Sequence, residues 1–336
     1  MILRLPYKSP LPTLVNITLI LLLALSSGFT AVAVAQESDG TSHTLLIDTH
    51  EVVSISDSRQ YIRMNGSPSN PIFLFLAGGP GDSVTGRMKQ LFSKLSGEFL
   101  VVLWDIRSTG ETAKLDNPPR ELSQELLQED TRELVDYLLR KFQKEKLYLA
   151  GFSWGSVPGF YMAGDHPEKL HAFIAVNPMI DPMKSEAISL EILKEDARVD
   201  DNNAALSELS QVELPFQNAE QLYYSRKWLF TKEGNRFGQK NAFRKYVFNW
   251  SDTWLDVFNQ AVQRNLFETL PTLECPVYFI VGKKDYRIDY RIAQDYYEQV
   301  KAPNKDFFLF EDSGHLLPYR DPNRFQETII DSILKK

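Results

Sequence analysis

The pentapeptide Gly151-Phe152-Ser153-Trp154-Gly155 constrains this chain more than any other segment. It follows the apolar run Leu147-Tyr148-Leu149-Ala150 and precedes a helix-like stretch from Val157 to Asp165. Strand, tight turn and helix in that order put the serine at the apex, the pattern of a nucleophile elbow. The apex residue needs unusual backbone angles, and Gly151 and Gly155 leave room for strand and helix to close on each other. The serine oxygen is expected to stand clear of the sheet edge.

A nucleophilic serine needs a base and an acid, which in this arrangement follow it in the order Ser, Asp or Glu, His. Of the five histidines, His43 and His50 precede the serine, and His166 and His171 lie too close behind it. His315 remains, just past the apolar strand candidate Asp306–Phe310. The acid is expected at Asp285, after the buried-strand pattern that Gly282 ends, with Asp289 as the alternative. Asp312 is close to His315 in sequence and is poorly placed to orient the ring. The competing reading of Asp285 is a helix cap. Charge developing on a substrate oxygen needs N–H donors. One is expected from the backbone of Trp154. The other is expected from the loop Ala77-Gly78-Gly79-Pro80-Gly81, at Gly79 or, next to it, Gly78.

These segments, with Trp104-Asp105-Ile106-Arg107-Ser108-Thr109-Gly110 and Gly314-His315, give a chain that resembles an α/β-hydrolase. Within that superfamily it is similar to the proline iminopeptidase group. The resemblance runs from about residue 45 to the C-terminus. It implies a serine aminopeptidase that releases an N-terminal residue. The chain departs from that group at Ala77, Ile106, Ser108 and Phe152, where His, Gln, Gly and Gly are usual. These departures remove no catalytic atom but bear on substrate class. An aspartate in place of Ser153 would have pointed to dehalogenases or epoxide hydrolases. An esterase of small acyl esters is the alternative, and a non-catalytic binding protein on the same scaffold is the alternative from another class.

Coarse patterning gives strands at Thr44–Asp48, Tyr61–Met64, Ile72–Leu76, Leu100–Trp104, Leu147–Ala150, Ala172–Val176, Cys275–Val281 and Asp306–Phe310. Ser123 is a candidate N-cap for a helix reaching about Phe142. Alternation of this kind predicts an α/β fold, with a mostly parallel sheet between two layers of helices. The strand pattern stops between about Pro178 and Leu273. The expected organisation is therefore a core of residues 36–177 and 274–336 with a helical cap at 178–273. The cap's acidic residues Glu186, Glu191, Glu195, Asp196, Glu208 and Glu213 are mostly a solvated face, from which one or two carboxylates could hold a substrate ammonium. Its aromatics, Tyr223 to Trp254, form a small core and part of an apolar pocket. Arg107 is expected in a structural ion pair with Asp105 beneath a loop, with a substrate-facing role as the alternative.

Residues 1–35 carry a basic start, the apolar block Leu14–Leu25 and Ala33-Val34-Ala35. That three-part pattern predicts a signal peptide cut after Ala35 and an exported domain, secreted or periplasmic. The alternative is a retained membrane anchor. A net charge of −7 without a basic cluster argues against nucleic-acid partners. The expected partner is a small molecule or short peptide. No cofactor is expected, nor a metal, since no histidines and carboxylates fall at metal-ligand spacing. Cys275 is the single cysteine and is read as a small buried hydrophobe.

Overall fold

The computed structural model describes residues 45–118 and 120–335. The signal peptide expected over residues 1–35 lies outside them. Eight strands make one sheet: β1 (Ile47–Ile55), β2 (Ser58–Gly66), β3 (Ile72–Leu76), β4 (Leu100–Asp105), β5 (Leu147–Phe152), β6 (Leu170–Val176), β7 (Val277–Gly282) and β8 (Lys305–Phe310). Their order across the sheet is β1-β2-β4-β3-β5-β6-β7-β8. The β1–β2 and β2–β4 pairs are antiparallel, and the pairs from β4 through β8 are parallel.

The inner strands β3, β4 and β7 are largely apolar and buried throughout because helices cover both faces of the sheet. Successive side chains of β3 show the division. Ile72, Leu74 and Leu76 join the core on one face, while Phe73 and Phe75 join the core on the other. The first strand lies further along than its apolar signal suggests. Leu45 and Leu46 are exposed. Ordered pairing starts at Ile47 and continues through a polar stretch to Val53 and Ile55, which are buried. An antiparallel edge strand needs only one apolar face, and in β1 the inward positions Thr49 and Glu51 are polar although burial alternates along the strand.

The helix after β4 runs from Gln124 to Phe142, and the Ser123 hydroxyl accepts from the Leu126 N–H at 3.2 Å as its cap. Leu127, Leu134 and Leu138 are buried along one stripe. Between β6 and β7 the described elements are helices, chiefly Pro182–Val199, Asn203–Leu209, Ala219–Lys232 and Asn241–Val262. They share a separate apolar cluster built on Leu193, Leu209, Phe216, Leu229 and Phe243. Among the described residues no helix is long and apolar enough to cross a membrane.

Candidate active site

Ser153 sits at the C-terminal end of β5 with φ +52°, in the left-handed region. A short 3₁₀ turn, Ser153–Gly155, leads into the helix Ser156–Asp165. The flanking glycines are there for space. A Cβ on Gly155 would meet the Leu76 carbonyl oxygen at 2.3 Å, and one on Gly151 would meet the Gly155 oxygen at 2.6 Å. The Ser156 hydroxyl braces the turn, donating to the Ser153 carbonyl at 2.6 Å and accepting from the Met179 N–H at 2.9 Å.

His315 and Asp285 come together after β8 and β7. His315 Nδ1 lies 2.7 Å from Asp285 Oδ2, and both side chains are buried. An ionised carboxylate can only accept, so the ring proton stays on Nδ1 and Nε2 keeps its lone pair. The other carboxylate oxygen, Oδ1, accepts from the N–H groups of Arg287 (2.8 Å) and Ile288 (3.0 Å). Asp285 thus caps the following turn and holds the imidazole at once. Asp289 is turned elsewhere, capping the helix Tyr290–Gln299 and pairing with Arg291. Asp312 pairs with Lys284 at the surface.

The loop after β3 approaches the same place. Gly79 has φ +115° and the Gly79–Pro80 bond is cis. Neither the Gly79 nor the Trp154 N–H is taken up by another loop or turn carbonyl among the described residues. The cap grips this loop: Trp250 Nε1 donates to the Pro80 carbonyl at 2.8 Å, and a Cβ on Gly81 would meet Trp254 Nε1 at 2.6 Å.

Ser153, His315 and Gly79 line one cavity, roofed by the cap, with about 970 Å³ of empty space including its mouth. That size suits a small ligand rather than a folded chain. Its wall is mostly apolar, with Leu222, Phe243, Val247, Trp250 and Phe258 from the cap. Two carboxylates border it, Asp82 and Glu186. Of the acidic cap residues, Glu186 alone among those described reaches the cavity, and it is held by Arg226 through two bonds of 2.9 and 2.5 Å. The Ser153 hydroxyl makes no hydrogen bond to His315. Such contacts are often loose before substrate binds.

A sequence profile described as the alpha/beta hydrolase fold matches residues 71–322. The chain belongs to the α/β-hydrolase family. This hydrolase is 27% identical over 301 residues to the Bacillus subtilis (strain 168) protein named probable aminopeptidase YbaC, covering 82% of this chain and 93% of that one. A hydrolase from Pseudomonas aeruginosa has a similar structure, with TM-score 0.60 and 16% identity over 85% of this chain and 98% of that one. So does a proline iminopeptidase-related protein from Thermus thermophilus, with TM-score 0.56 and 19% identity over 84% and 97%. The hydrolase thus resembles prolyl aminopeptidases, as its motifs imply.

Two parts of the hydrolase site were not legible in its motifs. Asn177, directly after β6, has φ +41° and ties three loops together. Its Oδ1 accepts from the Gly282 N–H at 2.8 Å, and its Nδ2 donates to the His315 carbonyl at 2.8 Å. An Asn directly after an apolar strand, before Pro, is the local signal of such a residue. Phe152 packs its ring 5.2 Å from that of His315, filling space that the smaller residue usual in the iminopeptidases would leave.

Arg107 corrects an expectation. It does not pair with Asp105 but with buried Asp130, through Nε and through Nη2 at 2.9 Å, and with Asp57 at 2.7 Å. Asp105 instead gathers the loops, accepting from the Ser83 and Thr85 hydroxyls and the Glu111 N–H. The two residues are near in sequence but differ in neighbours: Asp105 meets hydroxyl and N–H groups, Arg107 a helix carboxylate. Removing Arg107 leaves Asp130 buried without its counter-charge. Arg107→Ala is expected to cost about 3–5 kcal/mol in urea unfolding. A loss under about 1 kcal/mol would show that the pair contributes little.

Proposed function

We propose that this hydrolase is an exported serine aminopeptidase acting on small peptides by acyl transfer. The observation that carries the reading is geometric. Ser153 stands at positive φ at a strand end and shares a cavity with His315, whose ring is held at 2.7 Å by Asp285. His315 Nε2 takes the Ser153 proton as the hydroxyl attacks the carbonyl carbon. The N–H groups of Trp154 and Gly79 receive the oxyanion. The protonated ring then donates to the leaving amine, and a water deprotonated by the same nitrogen frees the acyl group.

Similarity to the probable aminopeptidase supports the peptide substrate. The basic, apolar and Ala-x-Ala succession at the N-terminus supports export. Cys275 is no rival nucleophile, because burial pushes its thiol up to about 11. The apolar cavity wall favours an esterase as the second reading.

The test is an assay of the full chain on alanine and proline coumarin amides, beside their N-acetylated forms and short-chain nitrophenyl esters. The expected result is cleavage of free-amine amides, lost on acetylation. Turnover of esters alone would replace the peptidase reading with the esterase one.

A further inference from the structure

An aminopeptidase must recognise a free ammonium close to the bond it breaks. That nitrogen is separated from the scissile carbonyl carbon by one Cα, a distance of about 2.5 Å. Its receptor therefore has to sit beside the oxyanion donors. The cap offers one carboxylate at the cavity, Glu186, but the Arg226 guanidinium already neutralises it. Arg287, the other cavity cation, is likewise matched by Glu233, at 2.8 and 2.6 Å. With these two pairs cancelled, Asp82 remains.

Asp82 lies three residues after Gly79, and its own N–H donates to the Gly78 carbonyl at 3.3 Å, folding it back over the loop. That turn keeps Asp82 beside Gly79, and both residues line the cavity that holds Ser153. Its side chain has neither a hydrogen bond nor an ion pair among the described residues. It is exposed, and it lines the cavity that holds Ser153 and His315. The groups whose charge it feels are Arg287, His315 and Arg87, and it acts in turn on Tyr246 and Tyr319.

We propose that Asp82 is the ammonium receptor of this enzyme, so that amine recognition comes from the oxyanion loop rather than from the cap. The proposal rests on the aminopeptidase reading. It commits to peptides or amides whose free N-terminal residue has an apolar side chain, with the ammonium on Asp82 and the side chain against Leu222, Phe243 and Phe258. An arriving ammonium supplies a positive charge that no carboxylate of the cavity has yet matched.

The experiment measures kcat/KM for leucine and alanine coumarin amides, free and N-acetylated, with the full chain and its Asp82→Asn, Asp82→Glu and Glu186→Gln variants. Asp82→Asn is expected to lower the ratio of free-amine to acetylated turnover about 100-fold, mostly through KM, because it removes the charge that pairs with the substrate ammonium beside the reacting carbonyl. Asp82→Glu, which keeps the carboxylate, is expected to restore most of the ratio, a recovery that a purely structural role would not produce. Asp82→Ala provides a second reading of the same ratio. If the unaltered enzyme prefers free amines and Asp82→Asn keeps that preference, the Asp82 assignment falls while the aminopeptidase reading stands. A ratio lost in Glu186→Gln and kept in Asp82→Asn returns recognition to the cap. If the unaltered enzyme does not cleave free-amine amides, both fall together.

Discussion

Ser153→Ala is expected to lower kcat about 10⁶-fold, the scale on which removal of an activated serine abolishes acyl transfer. The fold should persist. The Ser153 hydroxyl makes no hydrogen bond, so its loss leaves no partner stranded. The backbone contacts that hold the turn, from Ser156 Oγ to the Ser153 carbonyl and from the Met179 N–H to Ser156 Oγ, remain. Serine and alanine both carry a Cβ at φ +52°, so the substitution adds little backbone strain. The check is single-turnover and steady-state kinetics on the best amide or ester, beside a thermal melt. A variant that melts normally and keeps a tenth of the activity would place the nucleophile elsewhere.

Asp285→Asn is expected to lower kcat about 10⁴-fold with little change in stability. The reason lies in the hydrogen bonds. The amide oxygen of Asn can still accept from the Arg287 and Ile288 N–H groups, so the turn after β7 keeps its cap. The amide nitrogen then faces His315 Nδ1 and donates to it. The ring proton moves to Nε2, the atom that has to accept from Ser153. The variant thus separates the two roles of Asp285. A purely structural carboxylate would leave kcat within about tenfold of the original, as measured by steady-state kinetics at constant pH.

The parallel sheet was legible because most of its strands are short apolar runs, several of them ended by Gly, Asn or Asp, and β3, β4 and β7 are buried throughout. The turn at Ser153 was legible because two glycines bracket it for a steric reason visible in the residues themselves. Asp285 and His315 followed from their places after β7 and β8, since ligands in such sheets gather at the carboxyl ends of the strands. Other features depend on partners distant in sequence. Arg107 meets Asp130 across 23 residues, and Arg226 meets Glu186 across 40. Local pattern carries no record of such pairing, so the acidic cap offered many carboxylates and no means of telling which are free. Asp82 was hidden for a related reason. The glycine-rich loop draws attention to its backbone, and the side chain that ends it acquires meaning only when the cavity's other charges are seen to be matched.

The measurement that bears most directly on the nucleophile is the intact mass of the folded full chain after exposure to a fluorophosphonate probe, with fragmentation to locate the adduct. One adduct is predicted, on Ser153, absent from the Ser153→Ala variant. A folded chain that takes up no probe, or takes it up at another residue, would contradict a serine hydrolase acting through Ser153.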